Sequence, residues 1–272
     1  MEMKFYFIFV LTFQLFLATR AIYDGRRAKI SEIPYIVLIK NARIYCSGAL
    51  ISNRHVLTAA HCLRKSKTVT VTIGTNTYFE NDEENPYAMV IKSNKTWVHE
   101  KFSLPSAVYD IGVIELPKNV TFSKSVWPLK ISTKRNVEND FNDLEVISAG
   151  FGYPENSAGP STFLLYARLK LISLKECKKF KEYYIEDLNQ DHICISSIRG
   201  QPCDGDSGSP VISTKTRELI GIISYIKDAE NGVDISFNDC QAIVPAVATR
   251  VSSYLDWISE KTGLKFVSND AV

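Results

Sequence analysis

The chain has 272 residues, 45% of them hydrophobic, which is enough to bury one or two sizeable cores. Its 32 Lys plus Arg against 30 Asp plus Glu leave a formal charge of +2. So small an excess argues against nucleic acid or an anionic membrane as the main partner, and Lys178-Lys179-Phe180-Lys181 reads as a solvated face.

Taken in chain order, the first 21 residues stand apart. Glu2 and Lys4 make a short polar start, and Phe5 to Leu17 is apolar except for Thr12 and Gln14. Ala18-Thr19-Arg20-Ala21 then puts small residues where a signal peptidase inspects the chain. The apolar stretch is shorter than the roughly 20 residues that span a bilayer. It therefore predicts a cleaved signal peptide, residues 1–21, and a secreted mature domain, residues 22–272. A retained anchor is the rival reading. No later stretch is long and apolar enough to cross a membrane.

Beyond that segment, short β-branched and aromatic runs alternate with turn residues. They predict strands at Tyr35 to Ile39, Val69 to Ile73, Ile111 to Leu116, Val146 to Ala149, Leu219 to Ser224 and Ala246 to Val251. Helix is expected only at Ser173 to Tyr183 and at Ser252 to Lys261, where Tyr254, Leu255 and Ile258 share a face. The pattern indicates an all-β chain whose antiparallel sheets close into barrels. With no repeat or low-complexity linker, two barrels packed together fit better than two tethered domains.

Six cysteines follow the leader: Cys46, Cys62, Cys177, Cys194, Cys203 and Cys240. In an exported chain an even number points to three disulfides, but spacing alone does not choose the pairing. Zinc is the rival reading. It is disfavoured because no Cys-x-x-Cys pair exists and His adjoins Cys only at His61-Cys62.

Four segments carry the chemistry: Leu57-Thr58-Ala59-Ala60-His61-Cys62; Asp110 entering the apolar run Ile111 to Leu116; Gln201-Pro202-Cys203-Asp204-Gly205-Asp206-Ser207-Gly208-Ser209-Pro210; and Ile22-Tyr23-Asp24-Gly25. A serine hydroxyl is a weak nucleophile at neutral pH and needs a neighbouring base. Histidine, with an ordinary pKa of about 6.5, is largely neutral yet ready to take that proton. An acid behind the imidazole fixes its tautomer and stabilises the imidazolium. Glycines beside the serine let backbone N–H groups approach an oxyanion.

Singly, each residue has an ordinary structural explanation; in the order His, Asp, Ser, they resemble the trypsin/chymotrypsin family of serine peptidases. The resemblance runs from Ile22 to about Leu264, and Thr-Ala-Ala-His-Cys and Gly-Asp-Ser-Gly are its most specific parts. It implies two packed six-stranded antiparallel barrels with a C-terminal helix. It implies Ser207 as nucleophile, His61 as general base and acid, Asp110 as the orienting acid, and an oxyanion hole from Gly205 and Ser207. It also implies the pairing Cys46–Cys62, Cys177–Cys194 and Cys203–Cys240, and a Ser224 that supports the buried acid. Ile22 and Asp206 match the family's activation pair, in which a freed amine meets the acid before the nucleophile. Ala21 stands where a trypsin-activated precursor has Lys or Arg, so signal peptidase cutting after Ala21 is expected to release Ile22 directly.

The resemblance also reads the substrate pocket. Gln201 occupies its base, with no carboxylate to receive Lys or Arg. Ile226 and Ala246 stand at wall positions that are glycine in open pockets, which implies small or medium apolar residues before the cut bond, with chymotrypsin-like cleavage after larger residues as the runner-up and trypsin-like cleavage the least expected. The 14 residues from Ile226 to Asp239 exceed the family's usual length there and read as a surface insertion or a pocket cover. The acids between Gly74 and Pro86 cluster without the spacing of calcium ligands, so no metal and no cofactor are expected. Ser209 replaces a usual glycine. His55, His99 and His192 read as structural. Asn94-Lys95-Thr96 and Asn119-Val120-Thr121 are glycosylation sequons, placing Asn94 and Asn119 on the surface. The expected partners are protein or peptide substrates and protein protease inhibitors, and a monomer is the default. A catalytically silent homologue serving as a secreted binding or venom protein is the alternative, disfavoured because neither His61 nor Ser207 is lost.

Overall fold

The computed structural model describes residues 22, 25–42, 44–64, 66–78, 88–103, 108–133, 143–153, 160–183, 188–225 and 244–266. The expected signal peptide, Ile226, the insertion to Asp239 and Cys240 lie outside these residues, as do positions 79–87 of the acidic loop.

Two antiparallel sheets account for nearly all the regular structure. β1 (Arg26–Arg27) is a short edge strand. The first sheet then uses β2 (Ile36–Lys40), β3 (Tyr45–Leu50), β4 (His55–Thr58), β5 (Val69–Ile73), β6 (Met89–Ser93), β7 (Lys95–Val98) and β8 (Gly112–Glu115). A single helical turn, α1 (Ala60–Leu63), follows β4. The second sheet uses β9 (Glu145–Gly150), β10 (Leu165–Ile172), β11 (His192–Arg199), β12 (Pro210–Ser213), β13 (Leu219–Tyr225) and β14 (Ala246–Arg250). Helix α2 (Leu174–Cys177) lies between β10 and β11, and α3 (Leu255–Thr262) follows β14.

Closure follows from the strand order. In the second sheet β10-β11-β14-β13-β12-β9 returns to β10, a ring of six, with β1 added outside on β10. In the first, the order runs β6-β5-β2-β3-β4-β8-β7, and only Asn94 separates β6 from β7. That bent pair is one strand serving both ends of the order, so this ring also holds six. Closing a sheet removes the exposed edges that would otherwise invite other chains to pair.

The side-chain pattern explains the strands. Along β10, Leu165, Ala167, Leu169 and Leu171 are buried while Arg168 is exposed, the period of two that a half-buried strand requires. In β2, Ile36, Val37, Leu38 and Ile39 are all buried, because one face fills the barrel and the other meets packed chain. The largest core joins the two halves: Val37, Leu57 and Ile114 of the first barrel share it with Phe151, Leu164 and Ile222 of the second. A separate cluster fills the second barrel around Val146, Leu169 and Ile223, and the Ile22 side chain belongs to it, fully buried.

The helical expectations hold with tighter turns than the pattern implied. The first begins with Ser173 capping, its hydroxyl accepting from Glu176 N–H at 3.1 Å, and continues after Cys177 as 3-10 turns to Tyr183. The last opens as a 3-10 turn over Val251–Tyr254 before α3, which ends at Gly263 with φ +72°. Disulfides join Cys46 to Cys62 and Cys177 to Cys194. With Cys46 and Cys62 bonded, their sulfurs are not the thiolates that a zinc site needs. Cys203 is disulfide-bonded too, while its expected partner, Cys240, lies outside the described residues.

Candidate active site

The seam between the barrels gathers the predicted residues. His61 sits in α1, whose loop is clamped by the Cys46–Cys62 bond. Asp110 immediately precedes β8, and Ser207 lies on the turn before β12. Asp110 is 1% exposed. A buried carboxylate is expensive unless its oxygens are paired, and here they are. Oδ2 meets His61 Nδ1 at 2.8 Å and accepts from the Ser224 hydroxyl at 2.5 Å; Oδ1 accepts from the His61 N–H at 2.9 Å. Burial alone would raise the Asp110 pKa, but the His61 charge and these hydrogen bonds hold it below the usual carboxylate range. Burial alone would lower His61, but Asp110 overcomes it and keeps the imidazole above its ordinary value.

Two barrels supply this one cluster. His61 and Asp110 belong to the first, whereas Ser224 is on β13 and Thr249 on β14 of the second. The Thr249 hydroxyl donates to the Asp110 carbonyl at 2.9 Å. Nothing in the sequence singled out Thr249, because its partner is a main-chain oxygen.

The Ser207 turn is pressed against the first barrel. Ser47 N–H of β3 donates to the Ser207 carbonyl at 2.8 Å, and Cys62 Sγ lies 3.7 Å from the same oxygen. Gly208 makes that approach possible. Its φ is +81°, and a Cβ there would stand 2.2 Å from the Ser47 carbonyl and 2.2 Å from the Thr58 hydroxyl. The Ser207 hydroxyl has no hydrogen-bond partner among the described residues, so the His61–Ser207 contact is not closed here. Such contacts often tighten only when substrate arrives. The backbone N–H groups of Gly205 and Ser207 are likewise uncommitted among the described residues, with Gly205 at φ +88° turning the chain.

Asp206, the residue before Ser207 on this turn, is completely buried. Its oxygens accept from Gly152 N–H and Cys203 N–H, each at 2.9 Å. Burial pushes its pKa up to about 7, against the pull of those two bonds, and neighbouring Asp204 adds to the rise. Ile22 has φ +45°, a rare conformation for a β-branched residue, and its carbonyl accepts from Gly25 N–H at 2.6 Å. The contribution of Gly152 was not legible in the sequence, since any residue carries the N–H it uses.

The pocket residues are placed in part. Gln201 is 8% exposed, and its side-chain amide donates to the Val244 carbonyl at 3.1 Å. Ala246 is buried at the start of β14, opposite Ile195 of β11. Asp204, beside Gly205, has its pKa raised by desolvation. Ile226 and the insertion behind it lie outside the described residues. His55, His99 and His192 stay away from this chemistry: His55 meets the Ser52 hydroxyl, His99 stacks on Tyr109, and His192 is buried against Asn189. Asn94 and Asn119 are exposed.

Known proteins are similar to this chain in sequence and fold. The Trypsin family model matches residues 22–258. A chymotrypsin of Phaedon cochleariae is 32% identical over 243 residues, covering 87% of this chain and 80% of its own. Trypsin 5G1 of Aedes aegypti is 30% identical over 250 residues, 89% of this chain and 85% of its own. Among solved structures, HL collagenase superposes with a TM-score of 0.75 at 27% identity, over 90% of this chain and 100% of that one. With the motifs in place on the doubled barrel, the chain belongs to the trypsin family of serine endopeptidases.

Proposed function

We propose that this chain is a secreted endopeptidase that cuts peptide bonds through an acyl-enzyme on Ser207. The observation that carries the reading is the full complement of bonds on Asp110, which orients His61 with its Nδ1 engaged and leaves Nε2 for the serine. His61 takes the Ser207 proton as Oγ bonds to the substrate carbonyl carbon. The resulting oxyanion is met by the Gly205 and Ser207 N–H groups, a contact whose loss costs about 2.7–4 kcal/mol in comparable sites. His61 then passes its proton to the leaving amine as the C–N bond breaks. Water repeats the two steps on the acyl-enzyme and frees Ser207.

For specificity, the neutral Gln201 at the pocket base and the Cβ of Ala246 support small or medium apolar residues before the cut bond, as in elastase-like members, over Lys or Arg. Activation rests on Ile22 and Asp206. A freed Ile22 amine would give the buried Asp206 carboxylate the cation it lacks among the described residues, ordering the Gly205–Ser207 turn. The leader sequence supports secretion, and the disulfides suit an oxidising compartment.

The test is to collect secreted protein with Ile22 confirmed at its N-terminus and digest a mixed peptide library, with and without a fluorophosphonate. Inhibitor-sensitive cuts after small or medium apolar residues are expected. Cuts after Lys or Arg would overturn the pocket reading and keep the mechanism. Neither cuts nor a label on Ser207 would overturn the enzyme reading and leave the silent homologue.

A further inference from the structure

Asp110 owes its position to the residue before it. Tyr109 has φ +58°, one of four non-glycine residues with positive φ among the described residues, and a bulky side chain makes that a true outlier. Its carbonyl accepts from Ile111 N–H at 2.8 Å, closing a three-residue turn with Asp110 at the apex. That turn swings the Asp110 carboxylate out of line with β8 and towards His61. A strained backbone of this kind persists only where its surroundings over-determine it.

The surroundings are aromatic. The Tyr109 ring stacks on His99 with centroids 4.8 Å apart and planes at 18°, and it stands edge-on to Tyr254 at 6.1 Å. His99 in turn contacts Tyr254 at 5.4 Å and Trp257 at 5.1 Å. Trp257 is itself held, its indole N–H donating to Glu100 at 2.8 Å, while Glu100 pairs with Lys261 at 2.7 Å. The 3-10 turn before α3, through Tyr254, and the residues after β7, through His99, thus grip one ring from two sides. On the other flank, His99 N–H donates to the Ile111 carbonyl at 3.1 Å.

We propose that Tyr109 is a positioning residue for the acid of the triad, its ring clamped by His99 and Tyr254 so that the left-handed backbone holds Asp110 against His61. The proposal rests on the triad reading and goes beyond it. It does not ask Tyr109 to touch substrate.

Three variants test it: Tyr109→Ala, which keeps the strain and removes the clamp; Tyr109→Gly, which removes both; and His99→Leu, which removes the stacking partner. Each is assayed for kcat, KM and the acid limb of the pH–rate profile on an apolar peptide substrate, with thermal unfolding alongside. Tyr109→Ala is expected to lower kcat about tenfold with KM little changed, a modest share of the roughly hundredfold that a 1 Å misplacement can cause. Its acid limb should move down, because a displaced Asp110 no longer raises His61 as far. Tyr109→Gly adopts the left-handed backbone freely and should recover most of the lost kcat. His99→Leu should resemble Tyr109→Ala and add little to it.

Among the described residues, the other ionisable groups that feel Asp110 are His192 and Tyr254, and the variants leave both in place. A purely structural role predicts the opposite order, with glycine worse than alanine because it loses more backbone freedom on folding. That order, or a lowered melting temperature with kcat and acid limb unchanged, would overturn the proposal. Failure of the triad itself would show separately, as turnover surviving in Ser207→Ala.

Discussion

Consider the chain in which Ile22 is still joined to Ala21, and replace Asp206 by asparagine. Asp206 is buried, has two backbone donors and no cation among the described residues, and titrates at about 7 in place of an ordinary 3.8. Between those two values the folded chain binds one more proton than the unfolded chain, so stability must fall as pH rises. Each unit of pKa is worth about 1.4 kcal/mol, so the loss between about pH 4 and pH 8 is on the order of 4 kcal/mol. Asparagine does not ionise, and the Asp206→Asn variant should lose that slope. Urea unfolding at pH 4.5, 6 and 8, in a Ser207→Ala background to prevent self-digestion, reads the difference directly. A chain with a free Ile22 amine should also lack the slope, since ionised Asp206 then has a partner. Parallel pH profiles for the chains with and without the Asp206→Asn change would refute the reasoning.

Three further outcomes are expected. Ser207→Ala should lower kcat by roughly a millionfold, while calorimetry shows peptide binding little changed. In the active enzyme kcat/KM should rise with pH through an apparent pKa at or above about 6.5, since Asp110 holds the imidazole up; a midpoint clearly below that value would contradict the observed pairing. Ser209 has a fully buried hydroxyl with no protein partner among the described residues, so Ser209→Ala should raise stability by about 1 kcal/mol in denaturant titrations.

Much of the fold was legible because strands buried on both faces read as short apolar or β-branched runs. Val69–Ile73 and Leu219–Tyr225 sit where apolar runs placed them. β6 and β7 did not announce themselves. Met89–Ser93 and Lys95–Val98 are short, half-exposed and split by a sequon, so their apolar signal is weak even though they close the first barrel. At the site, His61, Asp110 and Ser207 were visible because the proposed chemistry runs through their side chains, in motifs that residue identity spells out. Thr249, Gly152 and the strained Tyr109 were not, because they act through main-chain groups or backbone angles that residue identity does not encode.

The placement of Asp110 at the seam has a consequence for quality control. Its carboxylate is satisfied by one hydroxyl from the second barrel and by the imidazole and N–H of the first, and its carbonyl by another hydroxyl from the second. Ser207 is tied across the same boundary through the Ser47 N–H. On the proposed mechanism neither half holds the whole set of groups, so a slight parting of the two should silence the chemistry while each sheet remains hydrogen-bonded. On that reading a half-assembled copy is expected to be inert. For a hydrolase able to attack its neighbours, correct assembly is itself the safety catch.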